Sequence, residues 1–368
     1  MPYYPIRGGR EEFVHRLATS LAERGHEVTL LAPVLPGFAP SMPQDSDAPF
    51  DVIRLPLGGI FVEDKPTDLQ AAATVATSVL RERRPQVLHA HNLGPDLMVL
   101  RNAVAASGCP APIALTAHGL ASWMDTRRWS IARYAVRVVD ALVAVSEVTH
   151  DEIALRAPVL HDRLVLIRNG VPIPHETTEA DPGSRDLLVM GRLSTEKGVA
   201  GLVVAFSVLA AERPGWRLVV AGDGQERAAL ERLARHLRID DRIQFTGWLD
   251  QLAVRDRLRE CLLAVVPSVW NEPFGLSAAE AHAAGRAVLA SRVGALPEIV
   301  EDGRTGWLVP PGDPLALAGV LRSVADDPAV AVRCGIQARE RARREFDWDR
   351  CVSSYEELYA RIAKREGR

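Results

Sequence analysis

The sequence predicts an α/β protein built as two doubly wound, parallel-sheet domains in tandem. Three observations carry that prediction. Short apolar runs of strand length alternate with amphipathic helical stretches along the whole chain. The alternation breaks once, in a proline-rich polar stretch at 171–185, and then restarts. The length, 368 residues, suits two domains of ordinary size.

The elements follow in order. Glu11 to Arg24 sets Phe13, Leu17 and Leu21 at helical spacing, and Gly25 is placed to end that helix. Val28–Leu31 is a short buried strand. Val87–Ala90, Ile113–Thr116, Leu142–Val145 and Val165–Ile167 repeat it. Runs that are apolar on both faces belong to a covered parallel sheet. These elements define a first domain over 1–170, followed by the linker at 171–185. A second domain over 186–348 has strands at Leu187–Met190, Leu218–Ala221, Ile243–Phe245, Leu262–Val266 and Ala287–Ala290. A basic helix ends near Phe346, and a last helix runs from about Asp349 to Lys364.

Composition excludes several classes. The chain is 47% hydrophobic and 25% charged, the balance of a soluble globular protein. A net charge of −3 supplies no field for nucleic acid. No apolar run of membrane-spanning length and no secretion signal is present, so a cytoplasmic location is expected. Cys109, Cys261, Cys334 and Cys351 are scattered without a paired motif, as expected of buried thiols in a reducing cytosol. The abundance of Ala, Arg and Val suggests a bacterial source with a high-GC genome.

Four segments carry chemistry. In Trp270–Gly285, an apolar run gives way to a loop holding Glu272 and then, after Pro273, Phe274 and Gly275, to a helix that opens at Leu276 and carries Glu280. A strand, a tight loop and a helix N-terminus make an anion site, with two carboxylates placed to accept sugar hydroxyls. Gly191–Gly198 follows the first strand of the second domain and presents Arg192 and Lys197 at a strand's carboxyl end, where open α/β sheets bind ligands. Two cations there can neutralise a diphosphate. Gly8 and Gly9 precede the first helix, permit positive φ and let backbone approach a ligand. Ala221–Gly224 is a tight turn in which Asp223 is expected to cap the next helix and Gly222 to lie beside the ligand.

Other features are read as structural. His89 and His91 share one face of a strand end, but no third ligand is evident for a metal. Asp45–Asp47 sits in a Pro/Ser-rich loop, and Asp347–Asp349 precedes a helix where Asp is a natural N-cap; neither is read as a metal site. Arg127 to Arg137 is a basic amphipathic stretch, read first as a surface helix and second as a peripheral membrane or anionic-acceptor patch.

Taken together, the Trp270–Gly285 and Gly191–Gly198 segments resemble the signatures of retaining nucleotide-sugar glycosyltransferases of family 4, glycosyl transferases group 1. The motifs extend from Gly8 to Trp307. The resemblance implies the GT-B fold, with two Rossmann-like domains facing a donor cleft and a terminal helix, 349–368, returning to the first domain. It implies that Arg192 and Lys197 hold the donor pyrophosphate, that Glu272 orients the donor sugar with the Phe274–Leu276 amides nearby, and that Glu280 binds ribose hydroxyls. It also implies that His118, in Thr-Ala-His-Gly, contacts the donor sugar near the reacting carbon. Gly8 and Gly9 then touch the distal phosphate and acceptor, and the segment with Trp248 reads the nucleotide base. The expected donor is a nucleoside diphosphate sugar, UDP-sugar ahead of GDP-sugar, with no other cofactor and no metal. The acceptor is a small molecule, lipid or glycan. In the family, a loop like Tyr3–Gly9 follows a buried strand, so the chain is expected to begin short of that strand. Intact-mass analysis of the native protein tests this. Two other readings share the architecture: a nucleotide-sugar epimerase, which would convert donor without acceptor, and a non-catalytic sugar-nucleotide binding protein, which would not hydrolyse it.

Overall fold

The computed structural model describes residues 8–34, 48–57, 66–91, 95–119, 138–175 and 178–364. The chain divides into two compact units. Unit 1 runs to Ile167 and regains the chain from Val352; unit 2 is Arg168–Cys351. Residues 171–185, expected as a linker, lie within unit 2. Ala180 is buried in its core, and the Pro174 and Thr178 carbonyls accept hydrogen bonds from Arg339 and Arg286.

Unit 1 opens with α1 (Gly9–Glu23). Phe13, Val14, Leu17, Ala18 and Leu21 form its buried face, and Gly25 at φ +89° ends it with a hydrogen bond to the Ala22 carbonyl. Next come β1 (Thr29–Pro33), β2 (Asp51–Leu55), α2 (Pro66–Arg83), β3 (Leu88–Ala90), α3 (Pro95–Ser107), β4 (Ile113–Ala117), β5 (Ala141–Ala144), α4 (Glu147–Arg156) and β6 (Leu164–Leu166). Among the described residues the strands form two parallel pieces, β1-β2 and β3-β4-β5-β6. The edge strand β2 was not expected from the sequence.

Unit 2 contains β7 (Asp186–Met190), α5 (Val199–Glu212), β8 (Arg217–Ala221), α6 (Arg227–His236), β9 (Ile243–Gly247), α7 (Gln251–Glu260), β10 (Leu263–Val266), α8 (Leu276–Ala283), β11 (Ala287–Ser291), α9 (Leu296–Ile299), β12 (Gly306–Val309), α10 (Pro314–Asp326) and α11 (Pro328–Glu345). The last helix, α12 (Trp348–Ala363), starts in unit 2 and passes to unit 1. Asp347 caps it, its Oδ1 accepting from the Arg350 amide at 3.0 Å.

The six strands of unit 2 are parallel, in the order β12-β11-β10-β7-β8-β9. The chain winds outward from β7 through β8 and β9, returns to β10 on the other side of β7, and winds outward again. The strand order therefore reverses between β7 and β10. Loops leaving neighbouring strands at such a point diverge to opposite faces and open a crevice at the carboxyl ends. Core residues of the helices packed on this sheet, among them Leu202, Phe206 and Leu209 of α5 and Leu321 of α10, are fully buried. Each such side chain contributes roughly 1.5–3 kcal/mol of burial.

Candidate active site

The two loops that leave β7 and β10 carry Arg192, Lys197 and Glu272, and the chain ties those loops together. The Val269 amide donates to the Glu196 carbonyl at 2.9 Å. Gly198, at φ +67°, presses on the Pro267 carbonyl so closely that a Cβ would overlap it. Lys197 and Glu272 meet across this seam, Nζ to Oε1 at 2.5 Å. Ser268 Oγ donates to the same oxygen at 2.5 Å. Glu272 is 7% exposed, so its charge is removed from water and needs that cation. No described residue bonds its second oxygen, Oε2. Arg192 stands exposed on the same loop as Lys197, and its guanidinium makes no hydrogen bond or ion pair with a described residue.

Backbone geometry holds Glu272 in place. Gly294, at φ +55°, lies against the Glu272 backbone where any Cβ would overlap it, and the Ala295 amide donates to the Glu272 carbonyl at 2.9 Å. Gly275 then turns the chain at φ +103° to start α8, and a Cβ there would lie 2.7 Å from Leu296 Cδ2. No side chain caps the helix, so its first amides present partial positive charge close to Glu272.

Unit 1 gathers a different set at its strand ends. His91 Nδ1 lies 3.1 Å from His118 Nε2, with the rings stacked at 5.4 Å. The His89 and His91 rings are 3.9 Å apart. His89 reaches the Tyr359 hydroxyl at 2.6 Å and Thr116 Oγ1 at 2.8 Å, and Thr116 reaches the Tyr355 hydroxyl at 3.1 Å. Phe13 covers His118 edge-on at 5.2 Å. Burial lowers His89 and His118 to about 3, with nearby Arg10 and His89 adding to the effect at His118. Burial holds His91 well below the usual imidazole range. All three rings are neutral at pH 7. His89 bonds two hydroxyls and His91 bonds His118, and among the described residues no group of three or more His, Cys, Asp or Glu side chains could hold a metal ion.

Residues 7–173 match the family Glycosyltransferase Family 4, and residues 174–341 match Glycosyl transferases group 1. The chain is 33% identical over 393 residues to a glycogen synthase of Mycobacterium tuberculosis, covering 98% of this chain and 93% of that protein. This chain is a family 4 glycosyltransferase. The transferase is also 26% identical to an N-acetyl-alpha-D-glucosaminyl L-malate synthase of Bacillus anthracis, over 97% of this chain and 94% of that one. Its fold is similar to sucrose-phosphate synthase from Thermosynechococcus elongatus, with a TM-score of 0.83, 24% identity, and 96% and 94% coverage. It is likewise similar to Anabaena HepE in complex with UDP and glucose, with a TM-score of 0.79, 20% identity, and 98% of both chains covered. The fold is GT-B, and the enzyme uses a nucleotide-sugar donor.

The transferase brings Arg192, Lys197, Glu272, Phe274, Gly275 and Leu276 together on the two loops of the reversal, with Glu280 half-buried one turn into α8. Phe274 turns its ring away, edge-on to Phe346 at 5.8 Å, so any ligand contact there comes from its backbone. Trp248 stands 43% exposed just past β9. His118 lies in unit 1 with Gly8 and Gly9.

Some expectations are corrected. Gly8 is extended, at φ −171°, as N-cap of α1, and Gly9 is helical, so neither uses positive φ. Gly222 does, at φ +151°, where a Cβ would overlap the Gly191 carbonyl at the head of the Arg192–Lys197 loop. Asp223 does not cap α6. It accepts from the Gly224 amide at 2.8 Å and from Arg227 at 3.0 Å. Asp45–Asp47, Arg127–Arg137 and Met1–Arg7 lie outside the described residues. Among the described residues no helix is long and apolar enough to cross a membrane.

The sequence reading missed Ser268, Gly294 and Arg286. A glycine just before a short helix was the available signal for Gly294. Arg286 is fully buried and donates to the Leu258, Arg259, Thr178 and Gly285 carbonyls. Two of these are carbonyls of the last turn of α7, which have no partner within that helix.

Proposed function

We propose that the transferase moves a hexose from a UDP-sugar to a glycan hydroxyl, with retention of anomeric configuration and without a divalent ion. One observation carries the reading: at the reversal between β7 and β10, Lys197 pairs with Glu272, which lies three residues before the uncapped N-terminus of α8, and Arg192 stands exposed on the same loop as Lys197. That is a site for a diphosphate next to a hydroxyl acceptor. Lys197 and Arg192 neutralise the departing diphosphate, the role a metal would otherwise take. Glu272 keeps Oε1 for Lys197 and Ser268 and offers Oε2 to a donor-sugar hydroxyl. Glu280 takes ribose hydroxyls, Trp248 faces the base, and neutral His118 contacts the sugar. Gly8 and Gly9 contact the distal phosphate and acceptor.

In the transfer, the bond from the sugar's anomeric carbon to the β-phosphate oxygen breaks. The acceptor oxygen bonds to that carbon on the same face. The acceptor proton passes to the leaving phosphate. Positioning and charge stabilisation supply the rate, and no protein nucleophile is used. The glycan acceptor is supported by the relative named glycogen synthase, which matches nearly the whole chain.

The test is incubation of UDP-glucose with maltotetraose, with and without EDTA, followed by proton NMR of the new anomeric signal. An α-linked product formed at equal rates in both is expected. A β-linked product overturns retention, and loss with EDTA overturns metal independence. No UDP release from UDP-glucose, with release from another nucleotide sugar, overturns the donor. Conversion of UDP-glucose to its epimer without acceptor would establish the epimerase instead.

A further inference from the structure

His91 is buried at 6% exposure, yet no role above uses it. It follows β3, and His118 follows β4. The two strands pair in parallel, with Ala90 opposite Leu115, so both histidines emerge at the same end of the sheet. Their rings stack at 24°, joined from His91 Nδ1 to His118 Nε2 at 3.1 Å. His89 packs against His91 at 3.9 Å, and Phe13 reaches both members of the pair, at 6.3 and 5.2 Å. Both nitrogens of His89 are taken, by Tyr359 and Thr116, so His89 cannot replace either partner. No described residue bonds His91 Nε2 or His118 Nδ1.

Two neutral rings joined this way share one proton along the Nδ1–Nε2 line, and the choice made on one ring dictates the other. If His91 donates from Nδ1, His118 carries its own proton on Nδ1 and presents a donor. If His118 donates from Nε2, its Nδ1 is a bare acceptor. The Arg10 guanidinium opposes a second proton on either ring. Without His91, the tautomer of His118 would be uncoupled and the ring would lose the bond that sets its plane.

We propose that His91 is a positioning residue for sugar transfer, fixing the ring plane of His118 and coupling the tautomer of His118 to its own as it meets the donor sugar. This rests on the reading of His118 as a donor-sugar contact.

The experiment follows UDP release from UDP-glucose in the presence of maltotetraose for the wild type, H118A, H91L and H91N, with nitrogen-15 NMR of the imidazoles. H91L should lower kcat about tenfold, the loss of one hydrogen bond, with the donor KM within about twofold. The His118 nitrogens should shift as they lose the hydrogen bond to His91. H91N sets an amide where Nδ1 was and should recover kcat to within about threefold, with a hydrogen bond again evident in the His118 shifts. If H118A is impaired while H91L turns over like wild type, the proposal alone falls. If H118A turns over like wild type, the site reading falls and the proposal with it. If H91L and H91N are equally slow, or the His118 shifts do not change in H91L, His91 is structural and the proposal is overturned.

Discussion

At the strand ends of unit 2 a buried carboxylate keeps its charge against a lysine, whereas the histidines at the strand ends of unit 1 are neutral and hydrogen-bonded to each other or to hydroxyls. In unit 2, Glu272 is buried with its charge because Lys197 and Ser268 supply a cation and a donor to one oxygen. In unit 1, His89, His91 and His118 are desolvated without a carboxylate partner, so they shed their protons instead. The difference indicates what each unit can offer a donor. Unit 2 can absorb the growing negative charge of a leaving diphosphate. Unit 1 can orient hydroxyls but holds no net charge on its histidines to spend on one.

The largest effect that sharpens this contrast is expected at Lys197. Lys197→Ala should lower turnover roughly 10²–10³-fold, the loss of a donor aimed at developing charge. Circular dichroism should still report a folded protein. Because the substitution leaves Glu272 buried without its cation, adding Glu272→Gln should raise the melting temperature of the Lys197→Ala protein without restoring turnover. A Lys197→Ala enzyme with normal turnover breaks the contrast.

Gly294→Ala should come next. A Cβ there strikes the Glu272 backbone, at a φ of +55° that a side chain rarely adopts. Turnover should fall about tenfold to a hundredfold, as for a displaced catalytic group, while the UDP dissociation constant changes far less. Equal losses in both would mean that the loop, and not Glu272, is what Gly294 holds. Ser268→Ala removes one hydrogen bond to Glu272 Oε1 and should cost turnover about threefold to tenfold. An effect as large as that of Lys197→Ala would make Ser268, not the cation, the main support of the carboxylate.

The smallest expected effect is on stability and tests the neutral side of the contrast. His89 and His118 titrate at about 3 in the fold, and near 6.5 when unfolded. Between those values the unfolded chain binds more protons, so stability rises with pH there. The contribution is complete above about pH 6.5 and is lost as pH falls toward 3. Lowering the pH from 7 to 5 should cost on the order of 1–2 kcal/mol per ring, read as a lower urea midpoint, and His118→Asn should flatten the slope. A midpoint unchanged between pH 7 and 5, or the same slope in His118→Asn, would mean that the ring is not held neutral.

Much of this was legible from the chain alone, for a physical reason. Buried parallel strands are continuous apolar runs, so Leu187–Met190, Leu218–Ala221 and Ala287–Ala290 were read within a residue of where they lie. β2 escaped because Asp51–Leu55 is an edge strand, exposed at Asp51 and only half-buried over the next three residues, with a charge at Arg54. β12 escaped because Gly306 opens it. The candidate site was legible in the residue types that the fold brings together and not in their pairings. Arg192, Lys197 and Glu272 stood out, but the ion pair joins positions 75 apart in sequence, which needs the strand reversal to be known. The histidine chain has the same origin: the closeness of His89 and His91 follows from period two, while His118 joins them only through the β3–β4 register.

The central claim, that charge handling belongs to unit 2 and hydroxyl orientation to unit 1, is tested most directly by titrating UDP into the wild type, Lys197→Ala and His118→Ala by calorimetry. The account predicts that Lys197→Ala weakens UDP binding at least about tenfold, while His118→Ala leaves it within about twofold. Equal weakening by the two substitutions, or weakening by His118→Ala alone, would contradict it.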